Sequence, residues 1–222
     1  MTLKQYKKEQ EKQKKKEQRE KRKKLTYITL ICILSVAILA LVLYIIFANA
    51  PDLSDPVTVA LEIRDYGTIT LELYPNVAPK SVENFLSYVK SGFYEGVKFH
   101  RVLAGFMIQA GDKDGDGISD PSLPNIYGEF ALNGYDNKLS FERGVIGLAR
   151  SQSYNSASSQ FFICHEDSPH LDGAYAAFGK VVDGIGIVDR IANCDKSTAI
   201  DSNGERYQPL NDIIIEKAYV VE

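Results

Sequence analysis

Two polar residues inside otherwise apolar segments are the best candidates for chemistry in this sequence. Arg101 and Gln109 lie in FHRVLAGFMIQ, and large apolar residues accompany them there and in the later segment SSQFFIC. A guanidinium group stays charged and presents fixed hydrogen-bond donors, so Arg101 is suited to polarise a bound group. Neither segment contains an evident nucleophile with its base, or a cluster of metal ligands. The pattern predicts a site that binds and polarises without covalent catalysis.

A glycine-rich acidic segment nearby suggests metal binding at first sight. Asp112 to Gly117 reads DKDGDG, like the beginning of a calcium-binding loop. The twelfth position of such a loop requires a bidentate glutamate, and here it is Leu123. We therefore predict no metal ion and no cofactor.

Alternating apolar residues predict strands around these segments. Val57 to Ile63 and Ile69 to Leu73 alternate on either side of the turn Asp65-Tyr66-Gly67, which predicts a hairpin. Six more runs have strand character: Val97 to Val102, Phe106 to Ala110, Val145 to Arg150, Gln160 to Cys164, Ala177 to Val182 and Ile213 to Val221. Many strands and few helices predict a closed antiparallel β-barrel, which leaves no free sheet edge.

Two segments show the helical period instead. Val82, Phe85, Leu86 and Val89 follow Pro79 at i, i+3, i+4 and i+7, and Gly92 lies just beyond them. This spacing predicts a helix of about three turns. A second, short helix is predicted at Ile187 to Ala192.

The N-terminal region has a different composition. Leu25 to Ala48 comprises twenty-four residues without a charge or a proline. As a helix it would be roughly 36 Å long at about 1.5 Å per residue, enough to cross a hydrocarbon core of about 30 Å. A core helix of a soluble domain would keep a polar stripe, and this segment has none. We predict a transmembrane helix.

Charge is divided unevenly along the chain. Residues 1–24 hold twelve Lys/Arg and four Glu, a net charge of +8, and the rest holds fourteen Lys/Arg and twenty-five Asp/Glu, a net charge of −11. Positive flanks stay inside, so we predict a cytoplasmic tail at 1–24, a linker at 49–56 and an extracytoplasmic domain at 57–222. Interspersed Glu and Gln favour a tail at an anionic membrane surface, and we predict no nucleic-acid binding.

A cleaved signal peptide is the alternative for the apolar segment. Ala48-Asn49-Ala50 is a small-x-small sequence that a signal peptidase could cut. The apolar run is longer than the usual stretch of about 7 to 15 residues, and Pro51 would follow the cut directly. Both features favour a retained anchor. A disulfide between Cys164 and Cys194 stays open on sequence grounds.

Five separated segments carry a family resemblance in their order and spacing. They are FHRVLAGFMIQAGD, YGEF, GVIGLAR, SSQFFIC and LDGAYAAFGKV. From about Val57 to the C-terminus, the sequence closely resembles the cyclophilin family of peptidyl-prolyl cis-trans isomerases. The resemblance implies a mainly β fold, an eight-stranded antiparallel barrel capped by two helices, and an enzyme that accelerates rotation about X-Pro bonds.

The resemblance also implies roles for particular residues. Arg101 would donate a hydrogen bond to the prolyl nitrogen and so weaken the amide resonance that opposes rotation. Gln109 would bind the substrate backbone and hold Arg101 in place. The proline ring would occupy a slot formed by Phe106, Met107, Phe162 and Leu171, and Ala149 and Gln160 would line the peptide groove. His100 has no evident task as a base, because rotation moves no proton.

Three positions depart from the pattern common in the family. His170 occupies the place of a tryptophan, Tyr175 that of a histidine beside the proline pocket, and Arg150 that of an asparagine in the groove. Tyr175 can still form an aromatic wall. His170 lacks the large apolar face of an indole, which predicts weak binding of the drug cyclosporin.

These observations predict a single-pass membrane protein with its isomerase domain outside the cytoplasm. Its substrates would be unfolded or newly exported proline-containing polypeptides. The alternatives are a cyclophilin-like module that binds proline segments as a chaperone or scaffold without turnover, and an anchor whose cytoplasmic tail is the active part.

Overall fold

The computed structural model of the protein describes residues 3–48, 52–200 and 204–221. The chain divides into two compact units, Met1–Ala50 and Pro51–Glu222. Asn49, Ala50 and Pro51, which belong to the expected linker and to the alternative cleavage site, lie outside the described residues.

The described residues of the first unit form a single long helix. Helix α1 spans Leu3–Ala48, so it contains both the basic segment and the apolar segment. Within it, Arg19–Tyr44 is long and apolar enough to cross a membrane. The hydroxyl groups of Thr26, Thr29 and Ser35 donate to carbonyl oxygens of the same helix, at 2.9, 2.9 and 2.8 Å. Their donors are therefore satisfied without water.

The described residues of the second unit form eight strands, two α-helices and two short 3-10 helices, Ala131–Asn133 and Pro169–Leu171. The strands are β1 (Val57–Ile63), β2 (Gly67–Leu73), β3 (Arg101–Leu103), β4 (Met107–Ala110), β5 (Val145–Leu148), β6 (Phe161–Cys164), β7 (Ala177–Asp183) and β8 (Ile215–Val220). Helix α2 spans Pro79–Lys90 and helix α3 spans Ile185–Ala192. The strands form one sheet in the order β3-β4-β6-β5-β7-β2-β1-β8, and every neighbouring pair is antiparallel. The predicted class and the number of strands and helices are confirmed.

The sheet differs from the expected barrel where its two edges meet. Strand β3 begins at Arg101 instead of Val97, because the preceding residues pair with the chain ahead of β8. The amide of Phe99 donates to the Ile213 carbonyl at 2.9 Å, and Lys98 and Ile214 form an isolated bridge. The curled sheet therefore closes through this bridge and not through a continuous ladder of β3 with β8.

The main core fills the inside of the curled sheet and is covered by α2. Phe85 of α2 is fully buried, and its ring lies 5.2, 5.3 and 5.4 Å from those of Tyr94, Phe161 and Phe178. Apolar burial of this kind contributes about 25 cal/mol per Å². The contact joins the helix to β6 and β7, so the core fixes the strands that carry the site.

Helix α2 begins with a cap from a distant loop. Its N-cap residue, Ala78, supplies no side-chain hydrogen bond. The carboxylate of Glu129 instead accepts hydrogen bonds from the amides of Lys80 and Ser81, at 3.0 and 2.8 Å, and from the Ser81 hydroxyl at 2.7 Å. Because the N-terminus of a helix has unpaired N–H groups and a partial positive charge, a buried carboxylate is stabilised there.

Candidate active site

Alternation along β4 and β6 places two sets of side chains on opposite faces of the sheet. Ile108 and Ile163 belong to the main core. Met107 and Phe162, one residue away from each, belong to a second, smaller cluster of buried apolar side chains. Because successive strand residues point to opposite faces, this second cluster lies on the outer face of the sheet. It forms the floor of the candidate site.

A slot of about 260 Å³ opens above this second cluster. Its lining is Arg101, Phe106, Met107, Gln109, Ala149, Arg150, Phe162, Leu171 and Tyr175. Eight of the ten residues that the sequence predicts for the site are therefore brought together here. The slot is walled by aromatic and aliphatic groups, with two guanidinium groups and one amide among them.

The other two predicted residues lie beside the slot and not in its lining. Gln160 is buried in the adjoining polar cavity, and its side-chain oxygen accepts a hydrogen bond from the Gln109 amide at 2.8 Å. His170 is exposed in the 3-10 turn Pro169–Leu171, and its ring lies 5.3 Å from that of Phe106. His170 therefore belongs to the rim.

Arg101 lies at the first position of β3, directly opposite Gln109 in the register with β4. Its guanidinium carbon lies 5.9 Å from the centre of the Phe106 ring, and Nη1 lies 3.9 Å from the Met107 sulfur. The half-buried cation is thus held against the apolar walls of the slot.

Two hydroxyl groups hold the loop that carries Gln160. The Tyr94 hydroxyl donates to the Ser159 carbonyl at 2.9 Å, and the Ser159 hydroxyl donates to the Gly111 carbonyl at 2.7 Å. Gly111 has a φ of +95°, and a Cβ there would lie 2.3 Å from the Ser159 oxygen. Only glycine permits this close approach, which brings the end of β4 against the residue before Gln160.

Arg150 is the site residue whose contribution the sequence does not predict. Its guanidinium donates twice to the Ala174 carbonyl, at 3.0 and 2.8 Å, and lies 4.5 Å from the centre of the Tyr175 ring. The sequence signal was available, because a cation and an aromatic residue replace the usual residues at both positions. Their contact depends on a turn between distant segments, which the local pattern cannot show.

The cysteine thiols of the domain do not act as nucleophiles in the candidate site. Burial raises the pKa of the Cys164 thiol to about 12, so the thiol is not a nucleophile at neutral pH. Cys164 and Cys194 are both free thiols.

The carboxylate of Asp112 accepts hydrogen bonds from the amides of Asp114 and Gly117, at 3.3 and 2.6 Å. This acidic segment is therefore organised by its own backbone.

The candidate site is an apolar slot edged by a guanidinium, and it lies on the outer face of a curled eight-stranded sheet. Residues 58–220 match the family model for cyclophilin type peptidyl-prolyl cis-trans isomerase/CLD. The chain belongs to this cyclophilin family, and it is an enzyme of the peptidyl-prolyl cis-trans isomerase class.

Individual relatives agree with this assignment. A probable peptidyl-prolyl cis-trans isomerase of Brucella suis is 44% identical over 145 residues, which cover 60% of this chain and 70% of the relative. The human peptidyl-prolyl cis-trans isomerase-like 3 is 38% identical over 153 residues, covering 68% of this chain and 89% of the relative.

Solved structures of one cyclophilin type isomerase from Cryptosporidium parvum are also similar. One is 29% identical with a TM-score of 0.66, covering 75% of this chain and 98% of that chain. Another, obtained in the presence of the dipeptide Ala-Pro, is 30% identical with a TM-score of 0.65, covering 74% of this chain and 99% of that chain. The part that matches this protein therefore makes up nearly the whole of each solved chain.

Proposed function

We propose that Arg101 accelerates rotation about X-Pro bonds by donating a hydrogen bond to the prolyl nitrogen. Amide resonance creates a barrier of about 18–20 kcal/mol, because the nitrogen lone pair is shared with the carbonyl. A guanidinium donor localises this pair on nitrogen and so stabilises the twisted transition state more than either planar state. The single observation that carries the proposal is the Arg101 guanidinium at the edge of the apolar slot.

The remaining walls of the slot would bind and orient the substrate. Phe106, Met107, Phe162 and Leu171 provide the apolar surface for the proline ring. Tyr175 closes one side, with its ring perpendicular to that of Phe162 at 5.9 Å. Gln109 would bind the peptide backbone, with its amide oriented by Gln160, while Ala149 leaves room for the chain to pass.

The experiment is isomerisation of short proline peptides by the full-length protein in detergent. Arg101→Ala should lower kcat/KM by about a hundredfold or more, the usual cost of removing a donor aimed at a transition state. Arg101→Lys should recover only part of the rate, because lysine lacks the planar fork.

Arg64→Ala is the matched control, since Arg64 is an exposed arginine paired with Glu216 at 3.6 Å and lines none of the cavities near the site. It should keep the wild-type rate. A near wild-type rate for Arg101→Ala would show that polarisation by Arg101 is wrong. Proline-peptide binding by the wild type without turnover would support the chaperone or scaffold alternative.

We further propose that α1 anchors the enzyme in the cell membrane, with residues 1–24 in the cytoplasm and residues 57–222 outside it. The length and apolar composition of Arg19–Tyr44 support a membrane span. The net charge of +8 before the span supports the orientation. In this position the enzyme would act on exported or cell-surface polypeptides as they fold.

A further inference from the structure

Arg150 occupies the boundary between the slot and a second cavity. This neighbouring cavity has a volume of about 210 Å³ and a largely polar lining that includes Ser151, Ser158 and Ser159. Gln109, Ala149 and Arg150 line both spaces. Consecutive Cα atoms of a peptide are only about 3.8 Å apart, so the residues next to the proline stay close to the slot. A peptide whose proline fills the slot therefore passes Arg150 if its chain continues into the polar cavity.

The guanidinium of Arg150 is held rigidly by neutral groups. It donates to the Ala174 carbonyl and, at 2.9 Å, to the Ser151 carbonyl. Aromatic rings surround it, with centres at 5.1 Å for Phe130, 5.2 Å for Tyr154 and 4.5 Å for Tyr175. Carbonyl dipoles and ring faces stabilise a cation without cancelling its charge.

Arg150 forms no ion pair with any carboxylate among the residues that the structure describes. Arg101 also lines the slot, so two guanidinium groups border the space where the proline would bind. The acidic group facing the polar cavity is Asp120, which is exposed, and its carboxylate accepts the Ser122 amide at 2.8 Å. Arg150 therefore presents an unpaired positive charge to both spaces, and Asp120 is the acidic residue in the lining of the polar cavity.

We infer that Arg150 is a specificity-determining residue that favours peptides with an acidic side chain next to the proline. A glutamate or aspartate in that position can place its carboxylate against the N–H groups of Arg150 that its carbonyl partners leave unused. This inference rests on the proposed isomerase function and names the substrate class of the same slot.

The test compares peptides that differ only in one residue beside the proline. One series carries Glu, Gln or Lys immediately before proline, and a second carries them immediately after it. With full-length protein in detergent, the ratio of kcat/KM for Glu over Gln should be about two to five in at least one series, the range that a partly exposed ion pair supplies. The ratio should fall towards one as salt rises from about 0.01 M to about 1 M, because the screening length shrinks from about 30 Å to about 3 Å.

Variants separate the charge of Arg150 from its structural contacts. Arg150→Gln should lower the Glu-to-Gln ratio to about one, and Arg150→Lys should keep part of it. Arg64→Gln, which removes an equal charge from an exposed position outside these cavities, should leave the ratio unchanged. An unchanged ratio in Arg150→Gln would show that its contacts with Ala174 and Tyr175 serve only the structure.

Failure of the inference is distinguishable from failure of the isomerase proposal. Turnover of the Gln peptides with no preference for Glu in either series would overturn the selectivity and leave the isomerase function intact. Preference for Lys would also overturn it, and would show that Asp120 in the polar cavity decides selectivity. If no peptide is turned over, the affinities of the Glu and Gln peptides, measured by fluorescence titration, decide the selectivity separately. Equal affinities would then reject it.

Discussion

At the scale of single residues, His100 is a buried imidazole that directly precedes Arg101 in the chain. Its side chain is 4% exposed, and neither ring nitrogen has a hydrogen-bond partner among the described residues. Burial lowers the pKa of His100 below its ordinary value of 6.5, and the nearby Asp112 only partly opposes this. The folded protein therefore favours the neutral imidazole.

This lowered pKa predicts a specific loss of stability in acid. Above pH 6.5 the imidazole is neutral in both states and adds no pH dependence. Below it, the unfolded chain takes up a proton that the folded protein resists, so the free energy of unfolding falls. Urea unfolding of residues 52–222 should show a smaller loss between about pH 7 and about pH 5 in His100→Phe and His100→Gln than in the wild type. Equal losses would exclude His100 as a source of the acid sensitivity.

His170 predicts a separation between catalysis and drug binding. It lies exposed on the rim against Phe106, whereas the slot is lined by other residues. The wild type should therefore turn over proline peptides and yet require high concentrations of cyclosporin for inhibition. His170→Trp should strengthen inhibition by about tenfold, in line with the apolar area of an indole, without a matching rise in kcat. Tight inhibition of the wild-type enzyme in a titration would contradict this prediction.

At the scale of elements, the sequence predicts most strands and both helices because their patterns are local. Alternation and the i, i+3, i+4, i+7 spacing depend on neighbouring residues only. The sequence does not predict where β3 begins or that Glu129 caps α2. Both depend on contacts between segments far apart in the chain, as does the contact of Arg150 with Tyr175. The apolar slot residues are predicted only through the family resemblance, since each alone could be ordinary core.

The cap on α2 gives a stability prediction at this scale. Glu129 is 1% exposed and satisfies three donors at the start of the helix. Glu129→Ala should lower the free energy of unfolding of residues 52–222 by about 2 to 3 kcal/mol, because buried donors lose a charged partner. Glu95→Ala is the control, since Glu95 is an exposed acid without a side-chain hydrogen bond or ion pair in the described structure. Urea titrations measure both. A loss no larger than that of the control would show that the cap contributes little.

At the scale of the whole molecule, the two compact units have opposite charge and different surfaces. The helical unit carries its positive charge ahead of an apolar segment with exposed side chains, and the domain of 57–222 is acidic and folds around its own core. Apolar residues such as Leu34 and Leu39 are exposed along the described part of this segment, and a continuous apolar surface of this size is unfavourable in water. The same surface is suited to the hydrocarbon core of a membrane. The hydroxyl groups of Thr26, Thr29 and Ser35 in the same helix already donate hydrogen bonds to its backbone carbonyls.

The difference in charge between the two units predicts a membrane topology, and testing it also distinguishes a retained anchor from a cleaved signal peptide. Protease added to intact cells should remove the isomerase domain and spare the basic tail, because positive flanks remain in the cytoplasm. The mature protein should also keep its full mass of 24.7 kDa. Replacing Lys21, Arg22, Lys23 and Lys24 with glutamine should weaken the orientation, whereas the same change at four lysines of the acidic domain should not. A mature protein that begins near Pro51 would show that the segment is a cleaved signal peptide, and protection of the domain from protease in intact cells would show the opposite orientation.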